Sequence, residues 1–229
     1  MRETGKPTGD VWIVIAAYQE ASRISETLRS LAGYKTIVVD DGSRDQTFQV
    51  ACRDATWVLR HPINCGQGAA LQTGIDFALS LGAEAIVTFD ADGQHDPADL
   101  PAMLQPVLDA SCDVVLGSRF QGTTIDMPLA RRCLLRLAIV FTRLTSRLRI
   151  SDTHNGFRVL SRNAAKTIRI RQPRMAHASE ILDQIAANGL SYRECPVKIR
   201  YTIETLAKGQ RASDAVRISG QLLAGRIWK

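Results

Sequence analysis

Residues 85–95 read Ala-Ile-Val-Thr-Phe-Asp-Ala-Asp-Gly-Gln-His. Ala85–Phe89 is a short apolar run of strand length, and it stops at two carboxylates, Asp90 and Asp92, followed by a glycine. The same pattern recurs upstream. Val11–Ala16 ends at Tyr18 and Glu20, and Thr36–Val39 ends at Asp40 and Asp41. Trp57–Leu59 and Val114–Leu116 are further short apolar runs, the second followed by Arg119. Between these runs lie helical patterns. One carries Ile24, Leu28 and Leu31 and ends at Gly33; another carries Phe48 and Val50. Two more span about Gln67 to Leu81 and about Pro97 to Leu108. Short strands alternating with helices predict an α/β fold, a mainly parallel sheet flanked by helices. Ligands of such sheets bind beyond the carboxyl ends of the strands. Five strand ends here bring polar residues to that rim.

The second half is less regular. It predicts a helix over Leu129–Ile150, a strand over Gly156–Leu160, a helix over His177–Asn188, a strand over Cys195–Tyr201 and an amphipathic stretch over Ala212–Trp228. At 229 residues, with 45% hydrophobic and 23% charged residues, the chain suits one globular domain. Five cysteines without a C-x-x-C spacing read as reduced thiols, neither a disulfide framework nor a zinc site. No leader or bilayer-spanning run is visible, so the expected location is cytoplasmic.

The Asp90/Asp92 pair carries the most chemistry. Two carboxylates at the tip of a buried strand, with nothing nearby in sequence to neutralise them, are costly unless a cation binds. Oxygen ligands of this kind suit Mg²⁺ or Mn²⁺ with positions left open for substrate phosphates. A metal there stabilises charge on a departing nucleoside diphosphate. By itself D-x-D also occurs by chance in surface loops; its place after a strand and before Gly-Gln-His is what selects the functional reading. Asp40-Asp41-Gly42-Ser43-Arg44-Asp45 offers a carboxylate to a base or ribose, with Ser43 or Asp45 as a helix cap. Tyr18 could stack on a base. Asn64-Cys65-Gly66-Gln67-Gly68 looks like a phosphate loop but lacks G-K-[ST], and Leu71 stands where G-x-G-x-x-G needs glycine. Its small residues are read as permitting close packing.

The stretches IAAYQE, VVDDGSRDQT, NCGQGAALQTGI, FDADGQHDP, VVLGSRF, DTHNGFRV and ECPVKIRYT together resemble the family 2 glycosyltransferases of GT-A fold, over about Val11 to Gln210. Within that family the chain looks most like the dolichyl- or polyprenyl-phosphate sugar transferases, such as the dolichyl-phosphate mannosyltransferases. The resemblance implies a nucleotide-sugar donor, GDP- or UDP-linked, bound by Ala16, Ala17, Tyr18, Glu20, Val39 and Asp41. It implies a metal on Asp90, Asp92 and Gln94, with Ala91 near the donor. It places Arg119 and Arg131 toward diphosphate or acceptor phosphate, and Lys208 on a covering loop. Ala16 stands where the family usually has Pro, and Gln67 where Lys is common, which leaves the nucleotide open.

Charge is unevenly distributed. Residues 1–128 carry 9 Lys/Arg against 17 Asp/Glu, a balance of −8, and residues 129–229 carry 20 against 6, a balance of +14. The expectation is a donor-binding half, 1–128, and an acceptor- or membrane-facing half, 129–229, within one domain. Few aromatics accompany the basic half, so nucleic acid is not the expected partner. Arg132, Arg136, Arg143 and Arg147 share one helical face, opposite Leu134, Leu137, Phe141, Leu144 and Leu148. Such a helix is either an ordinary solvated one or a contact with an anionic membrane surface; a second basic stretch, Arg217–Lys229, favours a peripheral enzyme. A polyprenyl phosphate acceptor is already anionic, so transfer with inversion needs little general-base help. Asp152 is the candidate base or acceptor-orienting group. His95 and His154 could contact phosphates, and His177 and Glu180 receive no role. The rivals are a same-fold transferase acting on a sugar hydroxyl, a nucleotidyltransferase and a non-catalytic lipid-binding scaffold.

Overall fold

The computed structural model describes residues 10–125, 148–153, 155–174 and 176–200. In chain order these form β1 (Val11–Ala17), α1 (Ile24–Ser30), β2 (Lys35–Asp40), α2 (Thr47–Asp54), β3 (Trp57–Arg60), α3 (Gln67–Ser80) and β4 (Ala85–Thr88). A 3₁₀ turn (Pro97–Asp99) then leads into α4 (Leu100–Leu108) and β5 (Val114–Ile125). The described chain resumes toward β6 (Arg158–Ser161), α5 (Arg162–Thr167), α6 (His177–Ala187) and β7 (Tyr192–Arg200).

One seven-stranded sheet runs in the order β3-β2-β1-β4-β6-β5-β7. It is mostly parallel, as expected, but β6 lies antiparallel to both β4 and β5. Strand alternation explains why both faces are apolar. Ile13 and Ile15 of β1 point to one face, where Ile24, Leu28, Met103 and Leu104 of α1 and α4 cover them. Trp12 and Val14 point to the other, beneath Leu71 and Ile75 of α3 and Ile181 and Leu182 of α6. Gly74 of α3 sits so close to β1 that a Cβ there would lie 2.3 Å from Val14.

Two expectations about element boundaries are corrected. β5 continues well past Leu116, because β7 pairs with it as far as Ile125–Arg200 across an irregularity after Ser118. Residues 148–150, expected at the end of a helix, are irregular. Leu148 and Ile150 are nonetheless buried, and the Arg149 N–H donates to Tyr192 Oη at 3.1 Å. Among the described residues no helix is long and apolar enough to cross a membrane. The rest of the basic segment (129–147) and the final stretch lie outside the described residues, as do Arg131, His154 and Lys208.

Candidate active site

β2, β1 and β4 are neighbours, so the two acidic strand tips flank the end of β1. The β2 tip is closed by the protein itself. Asp40, fully buried, pairs with Arg60 Nε at 3.1 Å and accepts the Ser43 N–H at 3.2 Å. Asp41 accepts from the backbone N–H of Cys65 (2.9 Å) and Gly66 (2.6 Å), and contacts His61 Nδ1 at 2.8 Å. The other His61 nitrogen reaches Thr73 Oγ1 at 3.0 Å. The ligand atoms of Asp41, His61 and Cys65 lie within 4.8 Å of one another. Since both carboxylate oxygens and both ring nitrogens already have protein partners, this cluster is a fastening for the 61–66 loop.

That loop also settles the glycine-rich segment. The N–H groups of Gly68 and Ala69, at the start of α3, donate to Pro173 O at 2.8 and 3.3 Å. A Cβ on Gly68 would lie 2.2 Å from Gln172 O, and one on Gly66, whose φ is +99°, 2.3 Å from Pro173 O. The glycines allow backbone to meet backbone, and the helix terminus is capped by a carbonyl where a phosphate loop would face an anion. The cap position of α2 is Gln46, so neither Ser43 nor Asp45 is the helix cap expected: Asp45, one residue earlier, accepts the Thr47 N–H at 3.0 Å, and Ser43 Oγ takes the Gln19 N–H at 2.9 Å and pins the end of β1.

Beside the tips of β1 and β2 an open cavity of about 530 Å³ is lined by Tyr18, Gly42, Ser43, Arg44, Arg60, His61 and Asn64, among others. Tyr18 is exposed at its mouth. Of the other expected donor-pocket residues, Val39 is fully buried with its side chain against α3, where Gly74 leaves room for it, and Ala17 and Ala91 face the α1–α4 core. Their side chains cannot reach a donor; only backbone could. Thr27 Oγ1 already donates to Ala91 O at 3.1 Å.

The β4 tip is organised differently. Asp90 accepts from Gln67 Nε2 at 3.2 Å and contacts His95 Nε2 at 2.9 Å, yet its side chain keeps 28% of its surface exposed. Burial pushes its carboxyl upward, but the hydrogen bond and charge of His95, with the charges of His177 and Arg158, outweigh that and hold it below the ordinary range. His95 therefore lies beneath the site, buried between Phe89 and Phe157, and does not face phosphates. Asp92 is the opposite case. Among the described residues its carboxylate accepts one hydrogen bond, from the Gln94 N–H at 3.0 Å. Burial, then the charge of Asp90, raise it to about 6, and Glu20 adds to the rise. β7 holds this loop in place: Arg200 N–H donates to Gln94 O at 3.0 Å, Lys198 N–H to Asp99 Oδ2 at 2.7 Å, and His95 bridges Ile199.

Across β6 lies a third charged group. Arg119 Nε donates to Asp152 Oδ2 at 2.6 Å, and its backbone N–H to the same oxygen at 3.1 Å, with both side chains buried. The residues read separately, Arg119 toward diphosphate or acceptor phosphate and Asp152 as a base or acceptor-orienting group, are bonded to each other. Glu194 supports the turn through the Ser151 and Asp152 N–H groups at 2.7 and 3.3 Å.

Sequence reading missed three contributors. Arg158 is buried inside β6 and donates to Ala178 O at 3.2 Å. Gly156 lies against Asp90: a Cβ there would be 2.5 Å from both Asp90 oxygens. His177, buried, contacts Arg174 O through Nδ1 at 2.9 Å and adds charge near Asp90. Only Arg158 left a signal in the sequence, a cation within the apolar run Phe157–Leu160.

Residues 12–169 match the family described as Glycosyl transferase family 2. A UDP-N-acetylglucosamine–dolichyl-phosphate N-acetylglucosaminyltransferase of Methanococcus voltae is 30% identical, covering 96% of this chain and 97% of its own length. A polyprenol monophosphomannose synthase of Mycolicibacterium smegmatis is also 30% identical, covering 72% and 66%. In fold, the chain is similar to glucosyl-3-phosphoglycerate synthase of Mycobacterium tuberculosis, solved with Mn²⁺ and UDP. The TM-score is 0.70 at 18% identity, over 95% of this chain and 78% of that one. The sheet order, the acidic tip of β4 and these likenesses converge: the chain is a glycosyltransferase and belongs to glycosyl transferase family 2.

Proposed function

We propose that this enzyme transfers a sugar, with inversion, from a nucleotide-sugar to a polyprenyl phosphate, using a divalent cation held by Asp92 with Asp90 and Gln94. The observation that carries the reading is the asymmetry at the β4 tip. Asp90 has protein partners on both oxygens, while Asp92 accepts one backbone N–H among the described residues and is raised to about 6 by burial and by the charge of Asp90. An oxygen site short of one positive charge beside an open rim fits Mg²⁺ or Mn²⁺. Bound there, the cation would offset charge developing on the departing nucleoside diphosphate.

The protein's own groups do the rest. Tyr18 and the 42–44 and 60–64 segments frame a cavity fit for the nucleoside. The closed β2 tip gives that cavity a rigid floor, which favours positioning over reorganisation. Asp152 is bonded to Arg119 and buried, so it orients Arg119 toward an acceptor phosphate instead of taking a proton. A phosphate acceptor needs no base, in keeping with this arrangement, whereas a sugar hydroxyl would need one. Two relatives named for dolichyl phosphate and polyprenol monophosphomannose point the same way. The basic second half would place the enzyme peripherally on the cytoplasmic face of an anionic membrane, with Arg131 and Lys208 toward the acceptor.

The test is transfer of labelled sugar from UDP- and GDP-sugars, with Mn²⁺ or Mg²⁺, into organic-extractable lipid. Label that enters only water-soluble glycan would shift the reading to a hydroxyl acceptor. Flotation with anionic liposomes at low salt tests the membrane half, and protein left at the bottom of the gradient would refute it.

A further inference from the structure

Arg158 has no role in the reading above, and its position is unusual. It is a guanidinium inside a central strand, 4% exposed, in register with Thr88 of β4 on one side and Leu116 of β5 on the other. Asp90 follows Thr88 by two residues, and Arg119 follows Leu116 by three. Arg158 therefore lies between the metal end of the site and the Arg119–Asp152 end. Its Nη2 is fixed by Ala178 O at the start of α6. The adjoining Gly156 presses on the Asp90 carboxylate, and the Gly156 carbonyl is held by Thr88 Oγ1 at 2.6 Å.

The charges around it form a simple pattern. Among the described residues, Asp90, Asp92, Asp152 and Glu20 bring four carboxylates toward this centre; His95 and His177 add charge near Asp90, and Arg119 and Arg158 bring two guanidiniums, the only groups among these cations whose charge needs no titrating proton. Arg119 is bonded to Asp152. Burial lowers the Arg158 guanidinium to about 10, and the fields of Asp90 and Asp152 act against that loss. A buried arginine survives only where anions compensate it.

We propose that Arg158 is a positioning residue, the permanent internal counter-charge of Asp90 shared with Asp152, and that by neutralising Asp90 from below it makes Asp92 the one carboxylate that demands an external cation. His95 and Gln67 aim the Asp90 oxygens, and Arg158 supplies fixed charge that needs no proton. The effect on the metal has a definite sign. A cation embedded beneath the site repels Mn²⁺, so the wild-type site binds the metal less tightly than its carboxylates alone would. The second half of this proposal rests on the metal reading; the pairing of Arg158 with Asp90 does not.

The experiment has two arms, both without turnover. In EDTA, thermal unfolding is followed for wild type, Arg158→Met, Asp90→Asn and the double variant. Arg158→Met leaves Asp90 uncompensated and should lower the melting temperature on the order of 10 °C. Adding Asp90→Asn should recover more than half of that loss, and this double variant folds even where the single one does not. Additive losses would overturn the pairing. In the second arm, Mn²⁺ binding is measured by calorimetry on the folded variants at neutral pH. Arg158→Met should bind Mn²⁺ roughly tenfold more tightly than wild type, and Arg158→Lys should stay close to wild type. A purely structural arginine would give weaker or unchanged binding in Arg158→Met, and that result would overturn the positioning role. If wild type takes up no Mn²⁺ while the cycle shows coupling, the metal reading and the second half of the proposal fail, and the pairing stands.

Discussion

The tips of β2 and β4 flank the same strand and carry the same sequence device, an apolar run that ends in two carboxylates and a glycine. Their physical states are opposite. At β2, Asp41 is buried and bonded on both oxygens by His61 and two backbone N–H groups, and buried Asp40 accepts one backbone N–H and faces the charge of Arg60. At β4, Asp90 is partnered yet still partly open, and Asp92 has one backbone donor among the described residues. Buried carboxylates that are saturated by donors build structure, whereas one left short of positive charge stores an electrostatic cost that a ligand can relieve. One acidic tip fastens a loop, and the other is left open toward a ligand.

Breaking the β4 tip should give the largest effect. Asp92→Ala should reduce sugar transfer by about a thousandfold or more, on the scale of removing a main electrostatic stabiliser of a leaving group, with folding intact. Initial rates with labelled donor at saturating Mn²⁺ measure it, and a loss under tenfold would show that the two tips are not functionally distinct.

The matching change at β2 should act on stability. In Asp41→Asn, the new amide NH₂ faces a backbone N–H that had an acceptor. The cost should be about 2–4 kcal/mol, read by urea unfolding. Next comes the glycine above the acid. Gly156→Ala would drive a methyl group against the Asp90 oxygens, costing about 1–3 kcal/mol in overpacking, and should lower Mn²⁺ affinity while the β2 tip stays unchanged. Hydrogen exchange at Cys65 and Gly66 would report on that second half.

The smallest effect has the most telling sign. Asp92 has a folded value near 6, above its unfolded value of 3.8. The folded state therefore holds the proton more tightly, and metal-free stability should fall as pH rises from about 4 to 6, then level off. Asp92→Asn should remove that slope and stabilise the metal-free protein at pH 7 by about 1–3 kcal/mol, allowing for solvent screening. It should give no gain at pH 4. Destabilisation at pH 7 would show that Asp92, like Asp41, is a structural acid.

Much of this was legible in the residues. The alternation of short apolar runs and helical patterns gave the layers and the parallel core, because strands buried on both faces must be apolar throughout. The antiparallel β6 was not legible: Arg158–Ser161 carries no mark of direction, and its place between β4 and β5 is set by pairing across distant sequence. Asp90 and Asp92 announced themselves, and Gln67 was noticed only as a departure from a family pattern.

What the sequence by itself determined is the list of chemical groups at the strand ends and the order in which the chain delivers them. Which acid is compensated was decided only by the tertiary structure. The guanidinium bonded to Asp152, Arg119, lies 33 residues before it, and Arg158, whose charge acts on Asp90 after those of His95 and His177, lies 68 residues beyond that acid. Electrostatic energy depends on distance through space and on access to water, and neither can be read from spacing along a chain.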